Sequence, residues 1–331
     1  MDQEEESKAA ILKAAKKGER MILDKHLQKV GDPSSIRDEE RNSPLHFAVE
    51  SPRNEVPCIK LLLKHKADIN AQNMYGATPM HYVGLKKKNH KEVAEFLIQN
   101  GAKLDIAMQG GLYPLHIAVE RSQYDLAKHL MSTFFDSAII DESGNTLLHH
   151  ATKNDGRDTN KKSFCDLFLE YGVAVNAQNV EGCTSLHYAA ERGFIKTCQS
   201  LVERGGTLSI KNVEGEYPIH YACRNGHAEV VEFFLALDPE LLEVRTGKGE
   251  TPLHYATKFQ HTDVAVVLLR RGADINIKNN ENLTPYDYVN EGTFDLKEAN
   301  NPEMIQILKV ARSRALGRDN DDDDDSCVIF Q

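Results

Sequence analysis

The sequence predicts an all-α repeat solenoid of stacked helix-turn-helix units joined by short β-hairpin-like turns. Three observations carry that prediction. A phrase close to Thr-Pro-Leu-His recurs seven times along 331 residues. Apolar residues after each copy fall at helical spacing. A glycine stands five residues before six of the seven histidines, as a turn with positive φ requires.

The repeated phrase comes first, since internal periodicity decides fold class before any local reading. The copies are NSPLHFAV, ATPMHYVG, LYPLHIAV, NTLLHHAT, CTSLHYAA, EYPIHYAC and ETPLHYAT. Their histidines are His46, His81, His116, His149, His187, His220 and His254, spaced by 35, 35, 33, 38, 33 and 34. A further step of 33 lands on Asp287, and a step back of 34 lands on Leu12. That makes nine units, the first and last atypical.

Each part of a unit has a physical reason. Thr251 suits an N-cap, its hydroxyl accepting from an otherwise unpaired backbone N–H. Pro252 suits the first helical position, where the missing hydrogen had no partner. Leu253, Tyr255 and Ala256 begin an inner helix, and small residues there admit the neighbouring helix. TDVAVVLLRRG reads as an outer helix closed by Gly272. ADINIKNNEN is an extended segment and turn leading onward. The glycines are Gly76, Gly111, Gly144, Gly182, Gly215 and Gly249.

On these residues the chain resembles the ankyrin repeat family, over about residues 8–317. The TPLH core, the small residues after it, and tails such as LLLKHKADINAQN and LLRRGADINIKN carry the resemblance. It implies that each key histidine bonds backbone groups and ties adjacent units together. It also implies binding through the turn tips and the concave face of the inner helices. Segments like LLLKHKADIN and LLRRGADIN are hydroxylated on asparagine in other members, which points to Asn70 and Asn276. A catalytic or metal role for seven equivalent histidines is not expected, since repeats supply scaffold. His149 and His150 stand adjacent. His150 occupies a position held elsewhere by Tyr or Phe, so it reads either as a metal ligand or as a groove-lining side chain.

Composition agrees with an ordinary globular protein: 40% hydrophobic and 27% charged. No apolar run approaches the roughly 18 residues of a membrane span. MDQEEESKAA is acidic and polar, unlike a secretory signal. Cytoplasm is the expected location, with the nucleus as alternative. The six cysteines form no C-x-x-C pair and are expected reduced. A net charge of −10 disfavours nucleic acid as a partner. A monomer without cofactor is expected.

Departures from the pattern mark places for recognition. Lys86, Lys87 and Lys88 fall in a lengthened loop, and the loop after His149 carries Lys153, Arg157, Lys161 and Lys162. The last unit carries a polar insertion before a basic helix, as a cap would. Tip positions collect Glu39, Glu40, Glu142, Glu181, Glu214, Glu216, Glu250 and Glu281. The far ends of the inner helices collect Lys86, Arg121, Lys153, Arg192, Arg224 and Lys258. The groove thus reads as running from an acidic rim to a partly basic one, or as a solvated mixed surface. Apolar residues at such positions are more telling, because the repeat does not need them. Met74, Tyr75, Leu85 and Leu112, with Lys86 and Arg121, make the third and fourth units the expected partner site, and Phe259 a second contact. The stripe Tyr82, Tyr188, Tyr221, Tyr255 and Tyr288 reads as packing.

From Arg318 the composition changes to RDNDDDDDSCVIFQ, six Asp and one Arg. The expected division is an array over 1–317 and an acidic, disordered tail over 318–331. Cys327 is a lipidation candidate, although it stands fifth from the end where a prenylation box needs the fourth. The tail could instead fold back on the two lysine-bearing loops. The chain holds no phosphate-binding loop, G-x-S-x-G or paired metal motif. The expected function is therefore a non-enzymatic scaffold or adaptor for a protein partner. The alternative is a membrane-tethered regulator anchored at Cys327.

Overall fold

A computed structural model describes residues 3–53, 55–85, 90–134, 136, 139–153, 163–289 and 301–315. They fall into two compact units, Met1–Asn154 and Asp155–Gln331. Among the described residues the regular structure is helical, and the only strand-like pairings are isolated bridges such as Met108 with Leu112.

The first unit contains α1 (Gln3–Lys17), α2 (Arg20–Val30), α3 (Pro44–Glu50), α4 (Glu55–Lys64), α5 (Pro79–Val83), α6 (His90–Gln99), α7 (Pro114–Glu120), α8 (Tyr124–Thr133) and α9 (Leu147–Thr152). Helices pair as inner and outer members: α1 with α2, α3 with α4, α5 with α6, α7 with α8. Inner helices stack in the order α1, α3, α5, α7, α9, and outer helices in the order α2, α4, α6, α8. The second unit contains α10 (Phe164–Glu170), α11 (Ser185–Arg192), α12 (Ile195–Glu203), α13 (Pro218–Arg224), α14 (Ala228–Leu237), α15 (Pro252–Lys258), α16 (Thr262–Arg270) and α17 (Pro302–Ala315), with a 3-10 segment at Pro239–Glu243 after α14 and another at Pro285–Tyr288 in the place of the last inner helix. It repeats the same stacking: α11, α13, α15 inside and α10, α12, α14, α16, α17 outside.

A helix of five to eight residues is too short to be stable alone, so its stability comes from packing. The short inner helices bury most of their residues: in α15 Leu253, Tyr255, Ala256 and Thr257 are all buried beside Pro252 and His254. Alanine at Ala48, Ala118, Ala151, Ala189, Ala222 and Ala256 leaves no exposed surface and lets successive helices approach. The outer helices supply the larger apolar groups, among them Leu62, Leu97, Leu126, Phe168 and Phe234, again fully buried. Met304, Ile307 and Leu308 of α17 close the last layer.

Each connecting segment is a hairpin-like turn closed by one backbone bond: Asn73 N to Ala77 O at 3.0 Å, Asp141 N to Asn145 O at 3.0 Å, Asn212 N to Glu216 O at 2.9 Å. The six glycines before the histidines all have positive φ, from 71° to 77°. In the unit of His46 and in the last unit the same position is Arg41 and Asn282, each at φ 63°. Neighbouring tips bond to one another through the backbone, Met74 N to Glu40 O at 2.9 Å and Val213 N to Glu181 O at 2.9 Å.

No helix among the described residues is long and apolar enough to cross a membrane.

Candidate functional site

The key histidines are structural, and their bonding sets their chemistry. His254 Nδ1 accepts from the Thr251 N–H at 3.1 Å and lies 2.8 Å from the Thr251 hydroxyl, within a capping box. An Nδ1 that accepts leaves the proton on Nε2, and Nε2–H donates to the Leu283 carbonyl of the next repeat at 3.1 Å. His46 reaches Ala77 O at 2.9 Å, His81 reaches Leu112 O at 3.1 Å and His187 reaches Glu216 O at 3.2 Å. His116 and His220 differ. Their cap residues are Tyr113 and Tyr217, which lack the small hydroxyl; His116 Nε2 makes no hydrogen bond, and His220 Nε2 faces the Glu250 and Val244 backbone without a bond of good geometry. Burial pushes His46 and His81 down to about 4, and His116 and His220 down to about 3. In the last repeat Asp287 takes over, accepting from Thr284 N and Oγ1 at 2.7 Å each.

In five repeats the residue after the key position packs on the histidine of the repeat before. Tyr82 meets His46, Tyr221 meets His187, Tyr255 meets His220 and Tyr288 meets His254, all edge-on at 5.0–6.0 Å. His150 holds this same position against His116, at 4.7 Å. Its Nε2 bonds Asp141 Oδ2 at 3.0 Å, and it is buried. No cluster of three metal-binding side chains occurs among the described residues. His150 packs in the ladder where other repeats have tyrosine.

The two rims of opposite charge are corrected in the second unit. Glu216 and Glu250 are 5% and 2% exposed and do not face a partner. Arg224 reaches back eight residues to pair with Glu216, and Lys258 pairs with Glu250 at 3.0 Å. Tyr255 also bonds Glu216, and Tyr288 bonds Glu250 at 2.5 Å. Burial raises the Glu250 pKa, but the bonds from Tyr288 and Lys258 outweigh it and hold the carboxyl below its usual value. The Arg224 guanidinium lies over the rings of Tyr221, Tyr255 and Phe259 at 5.1–5.8 Å. The acid and base expected at opposite rims thus neutralise one another inside the groove.

The expected partner residues lie as follows. Met74 is 50% exposed, Tyr75 39% and Leu85 40%. The backbone around Met74 and Tyr75 is held, because Tyr75 O accepts from Gln109 N at 2.8 Å. Arg121 is exposed at the end of α7. Leu112 is only half-buried, with its carbonyl already taken by His81. Lys86 and the rest of its loop, most of the loop after Lys153, and Cys327 lie outside the described residues. Phe259 is 40% exposed in the second unit, against Tyr255 at 5.9 Å. Val180 and Val213, 67% and 70% exposed, are tip residues that sequence reasoning missed. They stand seven before His187 and His220, the register of Met74 before His81. Asn70 is half-buried, its side chain tied to Gly101 O at 3.2 Å and Lys103 N at 2.8 Å, and Asn276 is exposed.

The five cysteines among the described residues are buried. Burial raises the thiols of Cys58 and Cys183, and pushes that of Cys198 up to about 12.

Comparison with known proteins agrees with this geometry. A family model described as ankyrin repeats in three copies matches residues 11–108, 85–161, 115–212 and 196–279. The chain is similar to a transient receptor potential cation channel, subfamily A member 1, of Drosophila melanogaster, 25% identical over 52% of this chain and 15% of the channel. It is 28% identical to the nuclear factor NF-kappa-B p105 subunit of Gallus gallus, over 49% of this chain and 16% of that protein. It is 26% identical to the B-cell lymphoma 3 protein homolog of Mus musculus, over 50% of this chain and 36% of that protein. The match spans well under half of each relative. Repeats, capped inner helices and the histidine ladder together place the chain in the ankyrin-repeat family.

Proposed function

We propose that the chain is a non-enzymatic protein-interaction scaffold or adaptor, docking a protein partner through turn tips and inner-helix ends. Ankyrin repeats generally mediate protein–protein interaction. The array is taken to extend over residues 1–317, with the acidic segment 318–331 appended. The observation that carries the reading is the exposure of Met74, Tyr75 and Leu85, apolar side chains on a backbone already tied into the stack. Rigidly held aromatic and Met side chains are the type that dominates interface energies. Arg121 adds a cation to this set, with Leu112 beside it in sequence register, and Phe259 with Val180 and Val213 forms the corresponding set in the second unit; Lys86 is carried as a member from the sequence alone.

The test compares affinity capture by the wild-type chain with capture by a Tyr75→Ala, Leu112→Ala, Arg121→Glu variant. The reading predicts that a specific protein is lost with the variant, since each hot-spot truncation costs about 1–2 kcal/mol. The same proteins with both baits would remove the site from the third and fourth repeats.

A second reading rests on the terminal Cys-Val-Ile-Phe-Gln: lipidation at Cys327 would tether the chain to a membrane. Membrane fractionation of wild type against Cys327→Ser separates the two. Asn70 and Asn276 remain proposed hydroxylation sites, read by a 16 Da increment on their peptides, a mass set by one oxygen at roughly that value.

A further inference from the structure

We propose that the face formed by the turn from α1 to α2 and the segment after α3 docks on an anionic lipid bilayer. Lys16, Lys17, Arg20 and Arg53 line one concavity there with Met21 and Ile22, all within the first compact unit. The face is firmly built. Glu19 N donates to Ala14 O at 2.9 Å and Arg20 N to Gly18 O at 3.1 Å. Gly18, at φ 68°, lies so close to the segment after α3 that a Cβ on it would collide with Arg53 O. Ser51 Oγ holds that same carbonyl at 2.9 Å. The turn that carries Lys17, Arg20 and Met21 is thereby fixed against the backbone that carries Arg53.

The face asks for two chemistries in one occupant. Its four cations are exposed, and the lining holds one acid, Glu19. Arg20 and Arg53 form no ion pair among the described residues. Lys17 meets Glu19 only at 3.9 Å, between exposed groups, and such a pair contributes little. Beside these cations Met21 is 79% exposed and Ile22 45%, on a helix whose Leu23 and Leu27 are fully buried. An acidic peptide answers the cations alone: Met21 touches little of the protein, so a chain lying in the concavity leaves most of it in water. A bilayer interface answers both. Anionic headgroups take the cations, and the projecting Met21 and Ile22 enter the boundary of the acyl chains. The long stems of Lys and Arg keep their charges at headgroup level while the apolar tips go deeper. The net charge of −10 on the whole chain is screened beyond about 10 Å at 0.1 M salt, so the charges nearest the bilayer decide the contact. This inference depends neither on a protein partner nor on a lipid at Cys327.

The test uses the full chain made in bacteria, so that Cys327 carries no lipid. At about 0.1 M NaCl it is expected to float with vesicles of about 30% phosphatidylserine in phosphatidylcholine, and not with phosphatidylcholine alone. Raising NaCl to about 1 M cuts the screening length to roughly 3 Å and is expected to weaken the association. Each cation near such a surface contributes about fivefold, so Lys17→Glu, Arg20→Glu, Arg53→Glu is expected to lower binding at least about a hundredfold. Lys64→Glu, Lys103→Glu, Lys128→Glu changes the net charge equally at exposed lysines elsewhere in the same unit, and is expected to lower binding less than about tenfold. Met21→Ser, Ile22→Ser is expected to cost about tenfold or more at fixed salt. The chain has no tryptophan, so Met21→Trp supplies a lone indole whose emission is expected to shift to the blue with the anionic vesicles. All these side chains are exposed, so the circular dichroism of the variants should match wild type, and the salt titration of wild type needs no variant. Four results would each overturn the proposal. Wild type stays behind when the anionic vesicles float. The two triple reversals lower binding equally, which makes net charge the cause. The Met21→Trp chain floats without a blue shift, which puts the contact elsewhere. Soluble poly-aspartate shifts the indole more than the vesicles do, which makes an acidic peptide the occupant.

Discussion

A buried histidine is neutral, and in these repeats neutrality is part of the bond pattern. Nδ1 must accept from the cap N–H, and a protonated ring has no lone pair with which to do so. An unfolded imidazole titrates near 6.5, whereas His46 and His81 titrate at about 4 and His116 and His220 at about 3. Below the unfolded value the unfolded chain binds protons that the folded chain refuses. Stability therefore falls as pH drops from about 6.5 toward 4, and these groups contribute no slope above 6.5. Each histidine adds about 1 kcal/mol of loss per pH unit in that window. Urea midpoints at pH 7.5, 6 and 5 check this, and equal midpoints would sink it. Glu216 sets a second expectation. It is buried with Arg224 and Tyr255 on its carboxylate. Arg224→Met leaves an uncompensated charge and should cost about 2–4 kcal/mol in urea unfolding, while Arg121→Met, at an exposed end, should cost under about 0.5 kcal/mol. The burial of Glu216 was legible in principle. The position four before each histidine reads Asn42, Ala77, Leu112, Asn145, Cys183, Glu216, Glu250 and Leu283, a mostly uncharged column. Reading it as a tip position hid that the two glutamates belong to the interior.

At the level of the element, the tight turn is the part whose chemistry tolerates least. Gly182 has φ 74°, and a Cβ there would stand 2.9 Å from the Val213 nitrogen of the next tip. That nitrogen already donates to Glu181 O, so it cannot retreat without breaking the tip-to-tip bond. Gly182→Ala should thus cost more than the roughly 1–2 kcal/mol of a left-handed alanine alone. A loss below about 1 kcal/mol in thermal unfolding would show that the tips slide apart cheaply. The six glycines were legible because the turn admits little else. Asn73, Asn179, Asn212 and Asn279 were not read, yet each carboxamide oxygen accepts two turn N–H groups while its amide donates to a tyrosine hydroxyl. A second tie was also missed. His227 Nε2 donates to Glu191 O at 2.9 Å and His261 Nε2 to Arg224 O at 2.8 Å, so the starts of outer helices hold the ends of preceding inner ones. These histidines stand outside the repeated phrase, and a scan for that phrase passes over them.

For the whole molecule, fold class and repeat register were readable because a stack repeats its constraints, and nine noisy copies vote on each position. The candidate partner site was readable only as far as exposure follows register: Met74, Tyr75, Leu85 and Phe259 are exposed, whereas Leu112 is partly consumed by the stack. The ion pairs of the groove required coordinates, because an eight-residue reach across an inner helix has no signature of its own. The cysteines give a measurement of how the two compact units open. Cys58 lies in the first, Cys165, Cys183, Cys198 and Cys223 lie in the second, and all five have zero exposure. Thiolate is the reactive form, and burial both shields these thiols and raises their pKa, Cys198 to about 12. With a disulfide reagent at pH 8, no more than one thiol of six should react rapidly in the native state. The remaining five should appear at rates set by unfolding, and stabilising conditions should slow all five. If Cys58 alone appears early, the first unit opens before the second; if the four of the second unit appear first, the order is reversed. Rapid reaction of two or more native thiols would contradict the packing itself, because a solvent-accessible Cys165 or Cys223 requires the outer or inner layer of its repeat to be open.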